Sequence, residues 1–185
     1  MRLFVAVTFD ETTKSRLTAV QNRIKTQSVR GNFSRPENFH LTLVFIGEVT
    51  PGLVPAVIAI VNDAIPPNEV QVFSLCFSRA GCFRHSGKEL WWIGPDTAND
   101  SEAHTGINVL AGVRQLIGNS LDAAGIHYDR RPFRVHVTLG REIKSSAPIV
   151  LDAGTIMAPI TRISLMQSEN IKGRLVYTEI FGHEL

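Results

Sequence analysis

The chain has 185 residues, of which 44% are hydrophobic and 19% charged, and this balance excludes an intrinsically disordered chain. The net charge of +2 is low for a protein that coats duplex nucleic acid, but it leaves room for a local basic patch around a small anionic ligand. The longest apolar run, around Val54–Val61, is too short to span a bilayer, and the N-terminus does not resemble a signal peptide. We therefore expect a cytoplasmic protein of one domain or of two small lobes.

The first half of the chain alternates strand and helix patterns. Residues 2–9 predict a strand, and residues 10–27 predict a helix that Asp10 can cap. A loop over 32–39 leads to a second strand at 40–46, and a second helix is predicted over 52–65. The break at Pro66–Pro67 is followed by a strand over 69–79.

The second half repeats this order. A strand is predicted at 88–94, a helix over 102–124, a loop containing Pro132 and a strand at 134–140. Two final strands are predicted near 160–168 and 174–181, with Gly173 in the turn between them. A unit of strand, helix, loop and strand therefore occurs twice, which predicts two similar lobes packed about a pseudo-twofold axis.

Each unit carries a histidine at its second strand. His40-Leu41-Thr42-Leu43 and His136-Val137-Thr138-Leu139 both read His-apolar-Thr-Leu, and the two histidines are 96 residues apart. A chain of this composition contains such a motif only about 0.03 times by chance. Residues i and i+2 of a strand share a face, so each motif presents an imidazole and a hydroxyl together while its apolar residues anchor the strand.

These side chains suit the hydrolysis of a phosphodiester. One base must take a proton from the attacking water and one acid must protonate the leaving oxygen, and histidine does either near neutral pH. The threonine hydroxyls can donate to the non-bridging oxygens. A single histidine on a strand is more often structural, but its recurrence beside threonine in the same context favours a catalytic pair, His40 and His136.

The motifs and their surroundings resemble the 2H phosphoesterase superfamily, and within it the RNA 2′,3′-cyclic phosphodiesterase family, also called 2′-5′ RNA ligase. The similarity is carried by the segments RLFVAVTFDE, RPENFHLTLVFIGEV, LWWIG, RRPFRVHVTLGR and GRLVYTEI. It implies a bilobal α+β fold, in which two antiparallel sheets face a central cleft and the helices lie outside. It also implies hydrolysis of RNA 2′,3′-cyclic phosphate ends to 2′-phosphates without metal or cofactor, and weak reverse 2′-5′ ligation.

The resemblance also assigns roles to single residues. It implies that His40 is the acid that protonates the 3′ oxygen and that His136 is the base that activates water. Thr42, Thr138 and Arg141 are implied to bind the phosphate. Strict alternation places Arg141 on the face opposite His136, so Gly140 would have to bend the strand for Arg141 to reach a phosphate.

Other residues have two interpretations each. Four aromatic residues could stack on a base or belong to the core, and four arginines could form a basic rim for RNA or be ordinary surface residues. The aromatic residues are Phe39, Phe45, Trp91 and Trp92, and the arginines are Arg35, Arg130, Arg131 and Arg134.

Three other functions are open. A related phosphodiesterase would act on small cyclic nucleotides and would have few basic residues around its cleft. A binding module would hold nucleotides or RNA without catalysis and would lack one of the two histidines. A metal enzyme is the weakest alternative, because two histidines without nearby carboxylates form a poor ligand set. We expect a monomer that binds RNA ends or related small nucleotides.

Overall fold

A computed structural model describes residues 1–65, 70–86, 88–96 and 101–185. It confirms the predicted α+β class. Three α-helices and ten strands are formed by these residues: β1 (Arg2–Thr8), α1 (Glu11–Thr26), β2 (Arg30–Phe33), β3 (His40–Glu48), α2 (Val54–Asp63), β4 (Phe73–Phe77), β5 (Arg79–His85), β6 (Lys88–Gly94), α3 (Ser101–Ala123), β7 (Val137–Lys144), β8 (Ile156–Ile160), β9 (Arg162–Ile171) and β10 (Arg174–Glu184). Within the same part of the chain, no helix combines the length and the apolar character needed to cross a membrane.

The helices follow their sequence patterns. Asp10 caps α1, because its side chain accepts a hydrogen bond of 2.8 Å from the backbone nitrogen of Thr13. Most of the apolar residues predicted at three- and four-residue spacing in α1 and α3, including Leu17, Ile24 and Leu110, are buried, whereas Leu116 of the same pattern is exposed. Both helices thereby attach to one shared apolar core.

Several strand predictions were wrong in their bounds. The predicted loop over 32–39 begins inside β2, and the predicted strand over 69–79 consists of β4 and the first residue of β5. The strand predicted at 134–140 begins at Val137 and continues to Lys144, while β8 was not anticipated. Short strands such as β2 have too few residues for an alternating pattern, and they form because a neighbouring strand supplies the hydrogen bonds. The predicted break at Pro66–Pro67 lies outside the described residues.

The main sheet is antiparallel and consists of two halves. Its strands follow the order β10-β9-β1-β3-β7-β6-β5, with β2 also paired to β7, while β4 and β8 form a separate two-stranded sheet. The halves meet between the two motif strands, where β3 and β7 share the single pair Leu41 and Val137. One face of β1 (Leu3, Val5 and Val7) lies in the core beneath the helices. Phe4 and Ala6 on the other face form a smaller apolar cluster.

Both motif strands carry the same two irregularities. Against β1, the strand β3 has one extra residue at Leu43 and another at Ile46. Against β6, the strand β7 has extra residues at Leu139 and Glu142. These positions are separated by the same 96 residues as the two histidines. Each β-bulge reverses the alternation of side chains beyond it, so the two strands turn their later residues in the same way.

Candidate active site

The two histidines are held by equivalent hydrogen bonds. His40 Nδ1 lies 2.7 Å from the carbonyl oxygen of Asn38, and His136 Nδ1 lies 2.7 Å from the carbonyl oxygen of Arg134. Since a carbonyl oxygen only accepts, Nδ1 carries the hydrogen in both rings. Nε2 of each ring is therefore the nitrogen that accepts or donates the exchangeable proton.

The pairing of the motif strands brings the two motifs together. Leu41 pairs with Val137, and in an antiparallel ladder the adjacent positions then place His40 opposite Thr138 and Thr42 opposite His136. The arrangement is unchanged when the two motifs are exchanged. The Thr42 hydroxyl lies 3.0 Å from His40 Nε2 and donates to that nitrogen when the imidazole is neutral.

A cleft of about 580 Å³ lies between the halves of the sheet, a volume suited to a nucleotide-sized ligand. Thr42 and Phe45 line it from β3, and His136 and Arg141 line it from the other half. His40 is not among the described lining residues, but its Nε2 is hydrogen-bonded to the hydroxyl of Thr42, which does line the cleft. Thr138 is half-buried beside the cleft, where its carbonyl oxygen accepts from the Ser34 hydroxyl at 2.8 Å.

Arg141 reaches the face of the motif because of the bulge at Leu139. Thr138 pairs with Trp92 and Arg141 pairs with Leu90. Trp92 and Leu90 are two residues apart and share a face of β6, so their partners share a face as well. The bend that the sequence required near Gly140 is thus an extra residue in the strand.

Burial and positive charge lower the pKa of both histidines. Burial lowers the pKa of His40 to about 4; the hydrogen bond to Asn38 opposes this change, and the charges of Arg141 and His136 add to it. Burial also lowers the pKa of His136, with smaller contributions in the same direction from Arg141 and Arg134 and an opposing hydrogen bond to the Arg134 carbonyl. Both imidazoles are therefore mostly neutral at pH 7, and the site favours an anion that would offset the positive charge of the arginines.

The carbonyl oxygens of Leu43 and Leu139, the first bulge residue of each motif strand, accept hydrogen bonds from helix side chains. Arg114 of α3 donates to the Leu43 carbonyl oxygen at 3.1 Å. Gln21 of α1, which is buried, donates to the Leu139 carbonyl oxygen at 2.7 Å, and the backbone nitrogen of Ser34 donates to the same oxygen at 3.0 Å. A bulge leaves backbone groups without ladder partners, and a buried carbonyl without a donor is costly. The two helices thus fix the shape of the motif strands, a role that neither residue signals by sequence alone.

The aromatic residues nearest the histidines were not predicted. Tyr177 meets the His40 ring edge-on at a centroid distance of 5.0 Å, and Phe4 lies 4.9 Å from the same ring. Phe83 meets His136 at 5.6 Å and stacks on Trp92 at 5.3 Å. Phe83 lies in β5, a strand that the sequence pattern did not reveal. Tyr177 lies in the correctly predicted final strand, within the segment GRLVYTEI.

Of the aromatic residues considered for stacking, Phe39 and Trp91 are in the buried core. Phe45 lines the cleft. The extra residue at Leu43 lets Thr42 pair with Ala6 and Phe45 pair with Phe4, and because Ala6 and Phe4 share a face of β1, Thr42 and Phe45 share a face as well. Trp92 is half-buried against Phe83. The aromatic rings in the described lining of the cleft are therefore those of Phe45, Phe83 and Phe133.

Arginines surround the cleft. Arg114, Arg131, Arg134 and Arg141 all line it. Arg131 forms an ion pair with Asp129, the one acidic residue in the described lining, and Arg134 lies over the Phe83 ring at 5.7 Å. Of the other candidates, Arg35 pairs with Glu37, and Arg130 pairs with Asp122 at 2.5 Å.

Among the described residues, no group of three or more histidine, cysteine, aspartate or glutamate side chains is placed to hold a metal ion. A reaction without metal stays a prediction.

Residues 7–89 match the family model described as LigT like Phosphoesterase. The chain is 28% identical over 154 residues to the RNA 2′,3′-cyclic phosphodiesterase of Archaeoglobus fulgidus, covering 82% of this chain and 78% of the relative. It is 28% identical over 148 residues to the protein of the same name from Methanothermobacter thermautotrophicus, covering 76% and 71%. The fold is that of LigT from E. coli, with a TM-score of 0.75 at 21% identity over 99% of this chain and 96% of LigT. That protein has also been solved with 3′-AMP.

Proposed function

We propose that this chain, a LigT-like phosphoesterase by its family match, its relatives and its fold, hydrolyses 2′,3′-cyclic phosphate at RNA ends and leaves a 2′-phosphate. One observation carries the proposal. Two histidines from symmetric motifs are each fixed through Nδ1 to a backbone carbonyl at 2.7 Å. His136 thereby offers Nε2 directly at a cleft of nucleotide size, and the Nε2 of His40 is hydrogen-bonded to the Thr42 hydroxyl that lines the same cleft.

In the proposed reaction, His136 accepts a proton from water as the water oxygen attacks phosphorus. The bond from phosphorus to the 3′ oxygen breaks on the opposite side, and His40 donates the proton that the 3′ oxygen takes up. In-line displacement places the attacking and leaving oxygens on opposite sides of phosphorus, which fits one histidine on each side. The assignment of His40 as acid and His136 as base rests on the family resemblance.

The neighbouring groups stabilise the phosphate. Thr42 and Thr138 would donate to the non-bridging oxygens, and Arg141 would neutralise their charge. The position of Arg141 supports this role, since Arg141 shares a face of the strand with Thr138 and its charge lowers the pKa of both histidines. A bound phosphate anion raises the pKa of the histidines that Arg141 lowers. Substrate binding therefore supplies the conditions under which His40 takes up its proton.

Three further features belong to the proposal. The domain consists of two lobes related by a pseudo-twofold axis between Leu41 and Val137, which is supported by the matching bulges. The chain acts as a monomer without a metal ion. Reverse 2′-5′ ligation occurs by the same groups and is weak beside hydrolysis.

An RNA oligonucleotide with a 2′,3′-cyclic phosphate end, incubated with the protein in excess EDTA, tests the function. The expected product is a 2′-phosphate, identified by its resistance to an enzyme that removes only 3′-phosphates. Activity that disappears with EDTA and returns with one divalent cation would contradict the two-histidine reaction. A 3′-phosphate product would mean that the 2′ oxygen, and not the 3′ oxygen, is the leaving group.

A small cyclic nucleotide is the second candidate substrate, because a cleft of about 580 Å³ holds a single nucleotide. Four arginines in the described lining favour RNA, since a small nucleotide needs fewer cations than a strand with several phosphates. Turnover of a mononucleotide 2′,3′-cyclic phosphate beside that of an oligonucleotide separates the two. A non-catalytic binding module is disfavoured by the presence and matched anchoring of both histidines.

A further inference from the structure

A second groove of about 640 Å³ adjoins the cleft. Its walls are the far end of β3 with the turn after it and the segment that follows α3. Phe45 and Asp129 line both cavities. The backbone nitrogen of Asp129 donates to the Phe45 carbonyl oxygen at 2.8 Å, so the two cavities meet at one fixed point.

We propose that this groove binds the nucleotides that precede the cyclic phosphate in an RNA strand, so that the protein prefers oligonucleotides to mononucleotides. This inference rests on the proposed function. In a terminal nucleotide with a 2′,3′-cyclic phosphate, the 2′ and 3′ oxygens of the ribose are both bonded to the cyclic phosphorus. The rest of the RNA strand is therefore attached through the 5′ oxygen. A groove that continues from the cleft is therefore the path for the preceding nucleotide.

The groove carries ring and cation pairs suited to single-stranded RNA. The Arg2 guanidinium lies 5.1 Å from the centre of the Phe45 ring, and the Arg130 guanidinium lies 5.4 Å from the centre of the Tyr128 ring. Bases stack on aromatic and guanidinium planes, and phosphates pair with the cations. Such contacts do not require a particular base, so we expect a preference for length with little preference for sequence.

The acidic residues at the groove are neutralised by partners. The Glu48 carboxylate lies 3.6 Å from the N-terminal ammonium group, and Asp129 pairs with Arg131. The ion pairs of Asp129 with Arg131 and of Asp122 with Arg130 are exposed on their arginine side. Both arginines can therefore turn toward a phosphate at a small cost.

The test compares cytidine 2′,3′-cyclic phosphate with di- and trinucleotides that carry the same cyclic end. The length preference is the ratio of kcat/KM for the trinucleotide to kcat/KM for the mononucleotide. We expect a ratio of at least about tenfold for the natural protein, the size of one stacked base. Raising the salt concentration should reduce the ratio: the logarithm of the ratio should fall against the logarithm of the salt concentration with a slope of about −0.7 for each phosphate contact.

Two variants act on the groove and one serves as control. Arg130→Gln removes an exposed cation, and Ala124→Glu adds a carboxylate at an exposed position of the groove wall. Each should lower the length preference by at least about threefold. Arg16→Gln removes the same charge from an exposed position on α1, a helix with no residue in the described lining of the groove, and should leave the ratio unchanged.

The outcomes separate the groove from the reaction. Equal kcat/KM for all lengths, or an equal fall in the Arg16→Gln control, would overturn the groove while leaving the reaction in place. If the natural protein hydrolyses none of the substrates, the proposed function fails. Dissociation constants of mono- and trinucleotide 2′-phosphates, measured on the same variants, then decide the groove by the same ratio.

Discussion

The buried state of His40 predicts a specific loss of stability in acid. Its pKa falls from the ordinary 6.5 to about 4 in the folded protein, whereas in the unfolded chain it returns to the ordinary value. Below pH 6.5 the unfolded chain therefore binds a proton that the folded protein does not. The free energy of unfolding falls as the pH falls from 6.5 to 4, and the contribution of His40 is constant at higher and lower pH.

One pKa unit corresponds to about 1.4 kcal/mol. Between pH 7 and pH 5, proton binding to the unfolded chain at this site should lower the free energy of unfolding by about 2 kcal/mol. The variant His40→Asn isolates the effect, because asparagine cannot titrate and its amide can still donate to the Asn38 carbonyl. Acid-sensitive groups that do not interact with His40 cancel in the comparison, and the remaining difference reports His40 together with its interaction with His136.

Urea unfolding of the natural protein and of His40→Asn at pH 7, 6 and 5 measures the difference. The natural protein should lose about 2 kcal/mol more than the variant between pH 7 and pH 5. Titration of the ring nitrogens by NMR in the folded protein provides a direct check of the pKa. Parallel pH dependence in the two proteins, or a His40 pKa near 6.5, would refute the proposed desolvation.

Four further outcomes are expected. His40→Ala and His136→Ala should each lower kcat by at least about 10²-fold with unchanged circular dichroism. Thr42→Ala and Thr138→Ala should each raise the activation free energy by about 1.5–3 kcal/mol, the contribution of one charge-assisted hydrogen bond. The pH profile of kcat/KM should be bell-shaped, with both limbs set by pKa values below 6.5 because the pKa values of both histidines are lowered; a flat profile from pH 5 to 9 contradicts proton transfer by histidine. A substrate whose 3′ leaving group needs no proton should rescue His40→Ala alone, and rescue of His136→Ala instead would exchange the two roles. Gln21→Leu should lower the free energy of unfolding by about 1–3 kcal/mol, because the hydrogen bonds from the buried Gln21 amide to the Ser34 and Leu139 carbonyl oxygens are both lost; urea unfolding of Gln115→Leu, at an exposed position of α3, provides the control.

The sequence predicted the parts of the site that depend on local pattern. His40, Thr42, His136 and Thr138 were predicted as site residues because a strand places residues i and i+2 on one face, and that assignment stays a prediction. The helices were found because their apolar period is regular. The position of Arg141 depended on a bulge, which is a relation between two strands and leaves little mark on either one. Phe83 and Gln21 were missed for the same reason, since each acts on a residue that is distant in the sequence.

The matching bulges have one more consequence. Two residues beyond the bulges at Leu43 and Leu139, both motif strands again present a side chain to the cleft, and that side chain is Phe45 in one strand and Arg141 in the other. A frame that is otherwise the same on both sides thus ends in a ring on one side and a cation on the other. An asymmetric ligand gains a preferred direction from this difference alone, since its flat end fits one exit and its anionic end the other.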